Sequence, residues 1–312
     1  MSRSLAMEIL SAIASSARQG RHREEDGPDA ERDFEVGEFE TIEIAAPFDV
    51  DIRIGGGASV QASGPENLLE EILVEVHHDR LFIGCDGDCD ADVQVSVTVP
   101  RLRSLRTSGS GDVSVDKVKG DDFECACNGS GDLSIDSIDV GKLKLSAAGS
   151  GDLHIDKLRA NDIEAGTMGS GDFDVDALEG SQFKLRLNGS GDARIEEYNG
   201  DRLEATLTGS GDFALETIDA GSAKLSIFGS GDVYFAGGRV NALTLETAGS
   251  GDISSEGVEA EHATISVCGS GDISAQVTGK AEIRVMGSGD VSVTGGAKCS
   301  VVGCGSGEIS FS

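Results

Sequence analysis

An all-β parallel solenoid, or β-helix, is the fold this sequence predicts, and three observations predict it. A Gly-Ser-Gly-Asp motif returns at a constant period of twenty from Gly109 onward. Apolar residues recur in fixed columns between the motifs. One polar column alternates Glu with Lys from unit to unit.

The motif ends at Asp112, Asp132, Asp152, Asp172, Asp192, Asp212, Asp232, Asp252 and Asp272, with identical spacing throughout. Asp290 follows after a step of eighteen, and a Gly-Ser-Gly-Glu ends at Glu308 after a second such step, making eleven copies. Self-similarity at one fixed period is the signature of a repeat architecture.

The columns define the unit. Directly after each Asp stand Val113, Leu133, Leu153, Phe173, Ala193, Phe213, Val233, Ile253 and Ile273. Further columns hold Val115, Ile135 and Ile155; Val118, Ile138, Leu158, Leu178, Tyr198 and Ile218; Phe123, Leu143, Ile163, Phe183 and Leu203; and Cys125, Leu145, Ala165, Leu185, Ala205 and Leu225. Each unit reads as two short strands of period 2 joined by turns. Neither strand buries an apolar face alone, but stacked units enclose one core.

Stacking direction follows from charge. The column Glu124, Lys144, Glu164, Lys184, Glu204, Lys224 changes sign at every step. In a parallel, in-register stack with strands ~4.8 Å apart, each acid lies between two bases, which is favourable. An antiparallel meander gives this alternation no purpose. Eleven coils at that rise make a rod of roughly 50 Å.

The N-terminal third divides in two. Residues 1–37 read as a flexible tail, charged and polar from Arg18 onward and containing Gly27-Pro28. The opening segment, Met1 to Ala17, has a basic start and an apolar stretch like an export signal. Glu8 interrupts that stretch, so a short amphipathic helix is the preferred reading. Residues 38–108 read as a β-rich cap on a solenoid of residues 109–312. Phe39, Ile42, Ile44, Phe48, Val50, Ile52 and Ile54 carry strand periodicity, and Val93 to Val99 form a further strand ending at Pro100. The last residues, Ile309-Ser310-Phe311-Ser312, carry no recognisable cap. That end is a candidate for self-association, because an open coil presents unpaired backbone and core.

Composition limits the function. The 312 residues hold 25 Lys and Arg against 56 Asp and Glu, a formal charge of −31. Such a chain repels nucleic acid and anionic lipid. No apolar run reaches the ~18 residues that a transmembrane helix needs. Seven cysteines are an odd number, so at least one stays unpaired within the chain. Cys85 and Cys89 flank Asp86-Gly87-Asp88 and are placed to staple a turn. Cys125 and Cys127 share one face of a strand and read as small buried hydrophobes.

From about residue 38 to residue 312 the chain resembles a known family, the putative auto-transporter adhesins with a head GIN domain. The likeness rests on Ala46-Pro47-Phe48-Asp49-Val50, Gly64-Pro65-Glu66-Asn67-Leu68-Leu69, Val97-Thr98-Val99-Pro100-Arg101-Leu102, and Ser108-Gly109-Ser110-Gly111-Asp112 with its repeats. It implies a right-handed β-helix in an extracytoplasmic, envelope-associated setting, acting as an adhesin.

Two readings compete for the aspartate column Asp112, Asp132, Asp152, Asp172, Asp192, Asp212, Asp232, Asp252, Asp272, Asp290. The structural reading, which we prefer, makes each Asp the cap of a tight corner, its carboxylate accepting backbone N–H groups in an Asx-type turn while glycine supplies positive φ. The functional reading is a Ca²⁺ ladder. Carboxylates ~4.8 Å apart repel by about 1 kcal/mol in water, and none of the ten is Asn. A second acidic column, Asp116, Asp136, Asp156, Asp176, Glu196, Glu216, adds oxygen ligands of the kind Ca²⁺ takes.

Catalysis is the weakest expectation. A polysaccharide-active β-helix builds its cleft from loops inserted at corners, and this period admits no insertion across nine motifs. Trp is absent, leaving Phe228 and Tyr234 as outward aromatic candidates, and His154 and His262 stand isolated. The sequence therefore predicts a non-catalytic surface or envelope protein presenting a stiff acidic rod to a protein or surface partner. The alternatives are a self-assembling, cytoskeletal-type scaffold and, behind it, an enzyme.

Overall fold

The computed structural model describes residues 27–87, 89, 92–303 and 305–312. The signal-like or helical segment expected between Met1 and Ala17 lies outside them. The described chain is almost wholly β and winds into a solenoid of about ten turns, close to the eleven expected.

In chain order the strands begin with β1 (Asp29–Phe34), β2 (Thr41–Ala46), β3 (Asp49–Ile54) and β4 (Ser59–Pro65). One helical turn, Glu66–Leu69, precedes β5 (Ile72–His77), β6 (Arg80–Cys85), β7 (Gln94–Val99), β8 (Ser104–Gly109), β9 (Val113–Val115) and β10 (Val118–Cys127). The repeats follow as β11 (Leu133–Gly149), β12 (Leu153–Gly169), β13 (Phe173–Gly189), β14 (Ala193–Gly209), β15 (Phe213–Gly229), β16 (Val233–Thr247), β17 (Ile253–Val267) and β18 (Ile273–Val285). Last come β19 (Val291–Thr294), β20 (Lys298–Gly303) and β21 (Ile309–Phe311).

Residues one period apart sit in adjacent layers, parallel and in register. Leu133 pairs with Leu153, Leu153 with Phe173, and Phe173 with Ala193. Each repeat is one continuous ladder strand rather than the two separate strands expected. Its burial pattern explains the difference. In β11 the inward residues are Leu133 and Ile135, then Ile138 and Val140, then Leu143 and Leu145. Alternation slips phase twice, at Asp136-Ser137 and at Gly141-Lys142, where two consecutive residues face away from the core. Those slips are corners that bend the strand without breaking its hydrogen bonds. The Gly-Ser-Gly-Asp motif forms the third corner.

The predicted apolar columns fill one continuous core. Tyr198 stands in a column otherwise aliphatic and is 1% exposed. Its hydroxyl donates to the carbonyl of Arg202 at 2.9 Å, with the Gly180 carbonyl at 3.4 Å as the longer alternative, so the polar end is satisfied. Burial, and secondarily the charge of Asp201, hold its pKa far above the ordinary tyrosine value. The two shorter coils regain the column register by shortening the first bend and the start of the face beyond it, where the buried Val258 has no partner in the next layer. Ser255 pairs with Ala275 and Glu259 with Gln276, so three residues are dropped at the first bend; one is gained at the second.

The stack reaches further toward the N-terminus than the expected boundary at residue 108. β2 lies between β6 and β8, and β3 lies between β7 and β9, parallel on both sides. Thr41–Ile54 is therefore a coil of the stack. The layer beneath it comes later in sequence and is formed by β6 and β7. The cap itself is narrower: β4 closes on β7 and β5 on β6, both antiparallel. Of the tail expected over residues 1–37, residues 1–26 lie outside the described chain, and Asp29–Phe34 is instead a strand, β1, that adds antiparallel to β4. β1 carries Asp29, Glu31, Arg32 and Asp33 along the outermost edge, where charge discourages pairing with another chain.

Candidate functional site

The aspartate column forms a ladder that fastens each coil to the next. The backbone N–H of Asp132 donates to Oδ1 of Asp112 at 2.9 Å, and that of Asp152 to Oδ1 of Asp132 at 2.8 Å. The same bond joins Asp172 to Asp152, Asp192 to Asp172, Asp212 to Asp192, Asp232 to Asp212, Asp252 to Asp232, Asp272 to Asp252 and Asp290 to Asp272, all at 2.7–2.8 Å. Glu308 ends the series by donating its N–H to Asp290. Each Asp thus caps the coil above rather than its own turn, which refines the expected Asx-type geometry. An ionised acceptor makes a stronger bond than an amide oxygen would.

The ladder begins one rung earlier than the motif. The N–H of Asp112 donates to Oδ1 of Asp49 at 2.9 Å. Asp49 was legible only as part of Ala46-Pro47-Phe48-Asp49; its alignment with Asp112-Val113 was the available signal.

The glycines of the motif answer to space more than to φ. A Cβ on Gly171 would lie 2.1 Å from the carbonyl oxygen of Gly151, with only backbone around it. Gly169 has φ of 149° and meets the same obstruction from Gly149 at 2.0 Å. The obstruction comes from the preceding coil. In the first coil of this kind Ala46 and Phe48 occupy the corresponding places, and the Phe48 side chain is buried in the core at 0% exposure.

Outward columns form the faces of the rod. The Cα register places Glu124, Lys144, Glu164, Lys184, Glu204 and Lys224 on successive layers, as the alternation predicts. Their closest ion pairs run elsewhere: Glu124 meets Arg106 at 3.6 Å, Glu204 meets Arg202 at 3.3 Å and Lys224 meets Glu246 at 2.9 Å. All are exposed enough that each contributes little.

The second acidic column is partly neutralised. Oδ1 of Asp116 accepts the N–H of Ile54 at 2.8 Å, and Glu216 meets Arg194 at 3.2 Å. His154 lies 3.1 Å from Asp156, and with Asp176 these three hold their ligand atoms within 4.8 Å of one another. Beside them burial, and then the charge of Asp172, raise the Asp174 carboxyl above its usual range. His262 pairs with its neighbour Glu261 at 3.7 Å. Phe228 and Tyr234 are 52% and 53% exposed, as expected of outward aromatics.

Cys85 and Cys89 form a disulfide across their turn. Cys125 is buried and Cys127 half-buried, their sulfurs 3.9 Å apart. Their mutual hydrogen bond raises the Cys125 thiol pKa and lowers that of Cys127; burial adds to the first. Among the described residues no helix is long and apolar enough to cross a membrane.

This architecture defines a parallel β-solenoid with charged, repeating faces. The chain belongs to the family described as putative auto-transporter adhesin, head GIN domain, whose pattern matches residues 38–197 and again 184–297. No curated protein matches the chain. Among solved structures it is similar to a putative lipid binding protein from Parabacteroides distasonis, at 19% identity over 92% of this chain and 97% of that one, with a TM-score of 0.41. A putative adhesin from Parabacteroides merdae is 16% identical over 92% and 97% of the two chains, again with a TM-score of 0.41. Another from Parabacteroides distasonis is 16% identical over 92% and 98%, with a TM-score of 0.38.

Proposed function

We propose that this chain is a non-catalytic protein of the cell surface or envelope, a stiff acidic rod whose repeated faces bind a partner. The observation that carries the reading is the in-register stack. Every outward position becomes a straight column, so a weak contact made at one coil repeats at the next, and repetition converts weak contacts into avidity. Membership of an adhesin family and the Cys85–Cys89 disulfide, a bond favoured in oxidising compartments, support the setting. A net charge of −31 favours a partner with basic groups, or one reached through divalent cations.

Beads coated with the purified chain should adhere to cells or basic surfaces in a salt-dependent way. Beads coated with the triple variant Asp136→Asn, Asp156→Asn, Asp176→Asn should adhere less. Equal adhesion of the two, or confinement of the native protein to the cytosol on cell fractionation, would sink the reading.

Within it the ladder aspartates act as caps. Asp172→Asn keeps an acceptor for the N–H of Asp192, though a weaker one, and should lower the melting midpoint less than Asp172→Ala does. Asp172→Ala should cost about 1 kcal/mol in denaturant titrations. A midpoint that rises in millimolar Ca²⁺ for the native chain, and no longer rises for Asp172→Asn, would instead favour the cation ladder.

A further inference from the structure

We infer that the C-terminal coil is a self-association surface, on which two copies meet tail to tail about a two-fold axis. The inference goes beyond the binding role of the rod's sides and does not depend on it.

Three features meet there. The first is an open edge. β20 pairs with β18 on one side and β21 with β19 on one side; among the described residues no strand covers the other sides. The second is exposed core. Val301 continues the column of Ile283, and Phe311 continues that of Val293. The preceding members are 1% and 2% exposed, whereas Val301 and Phe311 are 45% and 51% exposed, beside Val302 at 65%. The third is charge. Residues 273–312 hold Lys280, Arg284 and Lys298 against Glu282, Asp290 and Glu308, a balance of 3 − 3 = 0 in a chain of −31.

Those features select the occupant. Two bodies of charge −31 repel along their sides, and this is the end where they can approach. The neutral terminal coils separate the acidic parts of each copy from the interface by ~10 Å, about one Debye length at physiological salt. The orientation follows from the other end of the same molecule. There the terminal coil is continued by antiparallel strands, β5 on β6 and β4 on β7. A two-fold axis across the rod presents the partner's β20 and β21 antiparallel in the same manner. Head-to-tail stacking is blocked because the head is closed by those strands and by the charged edge of β1. Association therefore closes at two copies and does not grow.

Sedimentation equilibrium of the full chain over a hundredfold concentration range tests this, at low and at high NaCl. The expected mass rises from 32.1 kDa toward 2 × 32.1 kDa, at lower protein concentration when salt is higher. Val301→Lys and Phe311→Lys, made separately, should each shift the midpoint concentration at least tenfold upward while circular dichroism stays native. Should either variant fold poorly, amide exchange of the native chain is the second readout: exchange over 298–303 should slow as protein concentration rises, with 29–34 unchanged. A mass of 32.1 kDa at every concentration overturns the inference. So does growth beyond two copies, or a dimer indifferent to both lysines.

Discussion

Gly171→Ala is expected to lower the stability of the whole stack by about 3 kcal/mol or more, although it adds one methyl group at a surface corner. The added carbon would lie 2.1 Å from the Gly151 carbonyl oxygen, 2.9 Å from its carbon and 3.2 Å from the Ser150 carbon. All three are backbone atoms held by the ladder, so no rotamer change relieves the overlap, and the cost falls at or beyond the upper end of that for overpacking. The coil can escape only by lifting from its neighbour, which also lengthens the bond from the Asp172 N–H to Asp152. Gly166→Ala is the matched control. A Cβ there has its nearest neighbour at 3.9 Å, the carbonyl oxygen of Arg186, and Gly166 lies inside β12, where alanine fits better than glycine. Chemical denaturation should separate the two by several kcal/mol, with Gly166→Ala equal to or above wild type. Equal midpoints would mean the coils are not packed backbone against backbone at the motif.

Excising residues 173–192 should leave a folded, cooperative protein, and excising 173–182 should not. The first deletion joins Asp172 to Ala193 and leaves every column intact: Leu158 then faces Tyr198, and Ile163 faces Leu203. Nearest-neighbour stacking tolerates the loss of one whole unit. It does place Glu164 beside Glu204, at a cost of some tenths of a kcal/mol. Excising 173–212 restores a Lys opposite Glu164, in Lys224, and should recover that fraction. The half-coil deletion moves the Gly-Ser-Gly-Asp corner to mid-face and turns core residues outward in the spliced layer. Far-ultraviolet circular dichroism and thermal melts distinguish the cases. A half-coil deletion that melts like wild type would contradict the in-register stack.

The repeats were legible because the stack is itself periodic: a residue such as Leu153 meets the same kind of neighbour as Phe173, so the column can be read without knowing the path of the chain. The ladder position was legible for the same reason. The direction of its bond was not, because a cap on its own turn and a cap on the next coil both demand Asp at that place. The inverted layer order of 41–54 against β6 and β7 was hidden. It depends on pairings between distant parts of the chain, Thr41 with both Arg80 and Ser104, and leaves no local mark. β1 escaped because an edge strand defended by Asp29, Glu31, Arg32 and Asp33 looks like solvated tail. Outward columns could be placed from sequence, yet charge alone does not name what they touch.

The aspartate bond runs one way only, from the amide of the later coil to the carboxylate of the earlier one. A rod built so can assemble in the order in which its chain emerges. Every arriving turn finds its carboxylate acceptor already seated, returns its own aspartate carbonyl to the amide left waiting on the turn before, as from Leu133 to Asp152, and leaves a fresh carboxylate for its successor.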